Sequence, residues 1–139
     1  EHYKAIHHHF FQDVYDWAGE PREVRTGKGG NWFCYPEYID TEMKKVFAQL
    51  AAEDHLSQIT DLATFAGRAS YFIAEINAVH PFREGNGRCQ LTLLNVLMEI
   101  SGFEMDEELL DPDGFMDAMI ASFHGDNGPL TRSILTMTT

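Results

Sequence analysis

One stretch of the chain collects the side chains that could do chemistry: His80-Pro81-Phe82-Arg83-Glu84-Gly85-Asn86-Gly87-Arg88. His80 can accept a proton near neutral pH, as a general base must. Glu84 offers a hard oxygen ligand for a Mg²⁺ ion that a phosphate carries. Gly85 and Gly87 let a ligand approach the main chain, and Arg88 adds a fork of donors suited to phosphate oxygens. Together these residues indicate transfer from a nucleotide to a hydroxyl.

Two predicted helices must position this loop. Before it, apolar residues recur at helical spacing, which predicts a helix over 62–79. Pro81 favours the end of that helix near His80, because the residue before a proline is pushed away from the α region. A strongly apolar run after the loop predicts a buried helix that begins near Gly87. Its unpaired N–H groups and positive dipole end then point into the loop and make an anion site.

Each of these features alone has an ordinary explanation. A Gly-Asn-Gly sequence is usually only a turn, a histidine at a helix end is usually a cap or a surface residue, and a lone glutamate is usually solvated. What favours a functional site is that all three occur together between two predicted helices.

Composition limits the remaining classes of protein. A chain of 139 residues is most simply one domain. Its net charge of −12 argues against a nucleic-acid or anionic-membrane surface. No run approaches the ~20 apolar residues of a membrane span, and we find no signal peptide. Cys34 and Cys89 form neither a disulfide framework nor a paired metal signature, and we expect Cys89 to be a small buried residue. These features predict a protein of the cytoplasm.

The rest of the chain predicts helices around one irregular segment. Residues 2–17 carry an apolar stripe that is typical of a helix. His7–His9 do not predict a metal site, since consecutive residues on a helix point in different directions. Glycine and proline break the next segment, where Val24–Thr26 face Trp32–Cys34 across a glycine turn and predict a β-hairpin. The predicted fold class is an all-α bundle with one small β-hairpin.

The central stretch resembles the motif of the Fic family, His-x-Phe-x-(Asp/Glu)-Gly-Asn-Gly-Arg-x-x-Arg, at every fixed position except the last. The resemblance extends upstream to residues 5–9, 13–19, 28–30 and 36–39. It implies one Fic-type helical domain over residues 1–139, with a flap hairpin at about 20–38 beside the motif loop at 80–88. It also implies a protein adenylyltransferase, which moves AMP from ATP to a Ser, Thr or Tyr hydroxyl of a target protein.

The same resemblance implies a role for each residue of the site. His80 is the catalytic base, Glu84 holds Mg²⁺, and Phe82 anchors the loop in the core. The flap borders the nucleotide and registers the target segment beside the loop, where an extended peptide can add to a strand edge. The nucleotide-binding residues that it implies are Lys28, Gly29, Gly30, Arg83, Gly85, Asn86, Gly87 and Arg88.

Leu91 departs from the motif, because it stands where the family has a second arginine. That arginine is associated with the γ-phosphate and with pairing an inhibitory glutamate. Two alternatives therefore stay open: a catalytically weak or silent member that binds nucleotide or target, and transfer of a different phosphate-containing group.

The inhibitory motif of the family, (Ser/Thr)-x-x-x-Glu-(Gly/Asn), does not occur in these residues. We expect such a segment on a separate antitoxin-like partner or before Glu1, or no such segment at all. The expected location is the cytoplasm, with delivery into a host cell as an effector as an alternative.

Overall fold

The computed structural model describes residues 1–28 and 31–138, with Lys28 and Asn31 described by their backbone only. In this part of the chain the helices are α1 His2–Phe11, α2 Ile39–Ala52, α3 Leu62–Val79, α4 Asn86–Ser101, α5 Pro112–Phe123 and α6 Gly128–Thr136. Two short strands, β1 Gly27–Lys28 and β2 Asn31–Trp32, pair antiparallel. The predicted all-α class is confirmed.

Helix α3 lies at the centre because it is apolar around most of its circumference. Nine of its 18 residues are buried, and it packs against α2, α4, α5 and α6. Asp61 fixes its first turn by accepting the N–H of Thr64 at 2.9 Å. Phe65 and Phe72 are fully buried, and each such side chain contributes roughly 1.5–3 kcal/mol to the free energy of folding. Helix α3 therefore gives the following loop a rigid base.

Helix α1 is shorter than the predicted helix over 2–17, and that prediction is wrong beyond Phe11. The chain turns back at Gly19, whose φ of +85° favours glycine. The N–H of Gly19 then donates to Nδ1 of His7 at 2.9 Å. Trp17 continues the apolar stripe in sequence, but it folds back onto α1, where its half-buried ring stacks on His7 with 5.8 Å between the ring centroids.

The hairpin pairs fewer residues than predicted. Gly27 pairs with Trp32 and Lys28 with Asn31, and the N–H of Phe33 donates to the Thr26 carbonyl at 2.9 Å. Cys34 leaves the ladder, since its N–H donates to the carbonyl of Ala78 on α3 at 3.3 Å. The base of the hairpin is thereby attached to the end of α3. In residues 1–28 and 31–138, no helix is long and apolar enough to cross a membrane.

Candidate active site

The loop between α3 and α4 is closed by the side chain of Asn86. Its Oδ1 accepts the N–H of Phe82 at 3.0 Å, and its Nδ2 donates to the Phe82 carbonyl at 2.7 Å. Phe82 itself is 1% exposed and packs in the core, as the anchor role predicted for it requires. Asn86 is also buried, so that its amide acts here as a fixed clamp across the loop.

His80 ends α3 with a left-handed backbone, at φ +52°. Its Nε2 lies 3.2 Å from Nδ2 of Asn86. The bonds to Phe82 fix the orientation of the Asn86 amide, and an amide nitrogen only donates, so Nε2 must accept. In the neutral ring the hydrogen is therefore on Nδ1, and Nε2 carries the basic lone pair. The ring of Phe33 stacks on the imidazole at 3.9 Å, with 5° between their planes.

His7 supports the loop from the side of α1. Its Nε2 donates to the carbonyl of Glu84 at 2.8 Å, while its ring stacks on Phe82 at 3.9 Å. Because Nδ1 accepts the N–H of Gly19, this bonding pattern needs the neutral imidazole. Burial lowers the pKa of His7 below its ordinary value, which favours the same neutral form.

Arg22 supports the loop from the side of the hairpin. It is 4% exposed, and its guanidinium donates to the His80 carbonyl at 2.7 Å and the Val79 carbonyl at 3.0 Å. The same group donates to the carbonyl of Cys34 at 2.5 Å and to that of Val24 at 2.8 Å. Burial lowers the pKa of Arg22, although an arginine remains charged in any ordinary buffer.

The two loop glycines have different reasons to be glycine. Gly85 has φ +85°, and a Cβ there would lie 2.3 Å from Cε2 of Phe11, so the fold itself requires glycine. At Gly87 the φ does not require glycine, and an added Cβ would meet nothing within 4 Å. The first turn of α4 therefore stays open at Gly87, with its N–H groups accessible to an anion.

A cavity of about 550 Å³ lies beside this open turn. Its polar end is formed by the loop and the start of α4, with His80, Asn86 and Gly87. The rest of its wall is mostly apolar and includes Phe33, Phe115, Met119, Ile120 and Phe123. Leu91 lines the cavity together with Gly87, one helical turn away, as the sequence predicted. Its side chain is half-buried.

The charged residues of the motif lie on the surface. Arg83, Glu84 and Arg88 are all exposed. The guanidinium of Arg88 lies 5.2 Å from the ring of Phe10, and that of Arg83 lies 6.0 Å from the ring of Trp17. Cys89, the next residue, is buried as expected, and burial raises its pKa to about 12.

Glu84 is suited to hold a Mg²⁺ ion that arrives with a nucleotide. Its exposed carboxylate makes no ion pair within the described part of the chain. No group of three or more metal-binding side chains converges among those same residues. Magnesium bound through substrate phosphates needs only one or two protein carboxylates, so a single glutamate fits that ion.

Some predicted residues cannot be placed, and two important ones were not predicted. Gly29 and Gly30 lie outside the described residues, and only the backbone of Lys28 is described, in β1. No sequence pattern predicted a role for Arg22, because a lone arginine in an irregular segment has no periodic signal. His7 belonged to the run of three histidines, and nothing local distinguished it from its neighbours.

The model of the Fic/DOC family matches residues 1–98, which include the whole motif loop. The chain therefore belongs to the Fic/DOC family, and the predicted family is confirmed.

Its relatives carry one activity in their names. The chain is 59% identical over 136 residues to the probable protein adenylyltransferase y4lH of Sinorhizobium fredii, covering 98% of this chain and 71% of the relative. It is 36% identical over 134 residues to the protein adenylyltransferase VbhT of Bartonella schoenbuchensis, covering 96% of this chain. It spans only 28% of VbhT, so it matches one portion of that protein.

Solved structures confirm the fold. One neighbour is the N-terminal Fic domain of a VirB-translocated Bep effector protein from Bartonella quintana, with bound ADP. The two chains superpose with a TM-score of 0.90 at 25% identity, over 99% of this chain and 72% of the other.

Proposed function

We propose that this chain is a protein adenylyltransferase, which transfers AMP from ATP to a Ser, Thr or Tyr hydroxyl of a target protein. One observation carries the proposal: a basic lone pair and an open helix N-terminus line the same cavity. The lone pair is on Nε2 of His80, and the helix N-terminus is the first turn of α4 at Gly87. The names of the relatives and the ADP of the Bartonella quintana domain agree with a nucleotide as the donor.

In the proposed reaction, Nε2 of His80 takes the proton of the target hydroxyl. The hydroxyl oxygen forms a bond to the α-phosphorus of ATP. The bond from that phosphorus to the bridging oxygen breaks, and its electron pair leaves with pyrophosphate. The contact from Nε2 to Asn86 is long, at 3.2 Å, so the incoming hydroxyl can replace it. General bases of this kind accelerate a reaction roughly 10²–10⁴-fold.

The proposed phosphate site is mainly main chain. The unpaired N–H groups at the start of α4 donate to the α- and β-phosphates. The side chain of Asn86 is already bonded to Phe82, so it acts by holding this main chain in place. Arg83 and Arg88 add positive charge from the surface, and the flap segment Lys28–Gly30 borders the nucleotide.

Glu84 is proposed to hold Mg²⁺, which when bound neutralises charge on the phosphates. Replacing Glu84 with Gln should weaken ATP binding with Mg²⁺ present and leave binding without Mg²⁺ unchanged. Because the carboxylate is exposed and unpaired in the described structure, the melting temperature should also stay unchanged. Calorimetric titration in the two buffers measures both affinities. Equal losses in both would mean that Glu84 only shapes the loop.

The target is proposed to dock on the flap as an added strand. The N–H of Phe33 points at β1. Because successive N–H groups of a strand point to opposite edges, the N–H of Trp32 points away from β1 and is available to an added strand.

An antitoxin-like inhibitor would need a contact other than an arginine at position 91, because Leu91 cannot pair with a glutamate. We propose that the reaction takes place in the cytoplasm. Delivery into a host cell is the alternative, which the translocated Bartonella quintana effector supports.

A second candidate function rests on Leu91. Leucine offers only apolar surface where the family motif has an arginine. In this second candidate function, the chain binds a nucleotide without turnover.

The test uses ATP labelled on either the α- or the γ-phosphorus, with Mg²⁺ and a bacterial extract as the source of acceptors. Label from the α position alone supports AMP transfer, and label from the γ position alone indicates phosphate transfer. Neither label, with measurable ATP binding, supports the binding module. His80→Ala is the inactive control, and His9→Ala is an exposed histidine control.

A further inference from the structure

We propose that Arg22 is a positioning residue that locks the base of the flap to the backbone of His80. The proposal rests on the proposed function, since it concerns how the base and the target are brought together. Its support is the set of acceptors that one buried guanidinium reaches on three segments of the chain.

The first of these segments is the end of α3. The last carbonyls of a helix have no helical partner and lie at its negative end, where a cation is favourable. Arg22 donates to two of them, on Val79 and His80. His80 has a left-handed backbone, a conformation that a residue with a side chain keeps only when its surroundings hold it. The bond from Nε of Arg22 to the His80 carbonyl, at 2.7 Å, is one such restraint.

The other two segments are the two legs of the hairpin. Val24 precedes β1 and Cys34 follows β2, and the guanidinium donates to both carbonyls. Cys34 directly follows Phe33, whose ring stacks on the imidazole of His80 at 3.9 Å. Fixing Cys34 therefore also fixes the ring that covers one face of the base.

The main chain of Arg22 adds to the same connection. Its N–H donates to the carbonyl of Pro81 at 2.9 Å, immediately after His80. Among the described residues Arg22 makes no ion pair, and the acceptors of its side chain there are all main-chain carbonyls. Its role is therefore geometric, because the planar fork reaches four carbonyls in different directions. Lysine keeps the charge but places its donors on one nitrogen, so it cannot span them.

The experiment compares Arg22→Lys with the wild-type chain and with Arg68→Lys. Arg68 is a matched control, since its guanidinium makes two bonds to Glu53, at 3.0 and 2.6 Å, away from the motif loop. The first readout is the nuclear magnetic resonance of the His80 ring, assigned from its loss in His80→Asn. In the wild type, the stacked ring of Phe33 should shift these protons upfield. Arg22→Lys should reduce that shift, and Arg68→Lys should leave it unchanged.

The second readout is AMP incorporation into acceptors of a bacterial extract from ATP labelled at the α position. Arg22→Lys should lower kcat by about 10²-fold, as expected for a misplaced base, and change KM for ATP less than about threefold. The proposal would be overturned if the His80 ring protons of Arg22→Lys had the same chemical shifts as in the wild type. A kcat of Arg22→Lys equal to that of the wild type would overturn it as well. A wild-type chain that transfers no AMP would count against the proposed function only, because the resonance readout does not depend on activity.

If Arg22→Lys does not fold, amide hydrogen exchange in the wild-type chain tests the proposal instead. The amide protons of Arg22 and Cys34 donate to Pro81 and Ala78 respectively. If one guanidinium locks both segments, these two protons should exchange with solvent through one common opening. Exchange of Cys34 much faster than that of Arg22 would show that the flap base opens independently of the loop, and would overturn the proposal.

Discussion

The motif loop and the flap hairpin are both short, glycine-containing segments, but they are held very differently. Three buried polar side chains, Asn86, His7 and Arg22, bond the main chain of the loop or of His80. The hairpin has two paired residues on each strand, and its Trp32 is 62% exposed. The difference suits two tasks, because a base must keep one position while a docking strand must leave an edge for its partner.

The largest effect that separates the two regions should come from His80→Ala. It removes the base, so AMP transfer should fall by roughly 10²–10⁴-fold. Binding of ATP with Mg²⁺ should be retained, because the N–H groups of α4 do not depend on this side chain. Labelled transfer and calorimetric titration measure the two properties. A variant that keeps full transfer would remove His80 from the mechanism.

The flap should act through its main chain, and on the binding of the target protein rather than on the binding of ATP. Trp32→Pro removes the N–H that points away from β1, so modification of the target should be lost while ATP binding survives. Phe33 is a poorer choice, since its ring also stacks on His80. Trp32→Ala is the control that keeps the N–H and removes only the ring. If Trp32→Pro and Trp32→Ala lose target modification equally, the exposed ring and not strand pairing binds the target.

A substitution at Leu91 tests whether the motif-loop side of the site recognises the γ-phosphate of ATP. A charge-assisted hydrogen bond contributes roughly 1.5–3 kcal/mol, so Leu91→Arg should tighten ATP by about tenfold to a hundredfold. The affinity for ADP should change little, because ADP lacks the γ-phosphate. The wild type should bind ATP and ADP with similar affinities. Competition titrations give both affinities. A wild type that already prefers ATP strongly would show that another cation holds the γ-phosphate.

The smallest effects should separate the two glycines of the loop. Gly85→Ala should lower the free energy of unfolding by about 2 kcal/mol or more, through its left-handed φ and the contact with Phe11. Gly87→Ala should not lower it, since alanine is better than glycine in a helix by roughly 1 kcal/mol. It should still weaken ATP binding, because the methyl group enters the open space. Denaturant unfolding and calorimetry separate these outcomes, and equal destabilisation would contradict the assignment.

Local sequence determined the parts of the fold that depend on neighbours in the chain. The predicted helix over 62–79 is α3 Leu62–Val79, and the helix predicted to begin near Gly87 begins at Asn86. Apolar periodicity and the turn residues around Pro81 are local signals, so they could be read without the fold. The same locality explains why Leu91 could be placed one helical turn beyond Gly87, where the two residues line one cavity.

Only the tertiary structure decided what holds the site together. The stripe ending at Trp17 predicted a continuous helix, yet the chain turns back after Phe11 and Trp17 packs on His7. His7 and Glu84 are 77 positions apart, and Arg22 and His80 are 58 apart. Periodicity describes one element at a time, whereas these bonds need α1, the hairpin and the motif loop to meet. Each buried donor is satisfied only after that packing has formed, so its role follows from the fold and not from its neighbours in sequence.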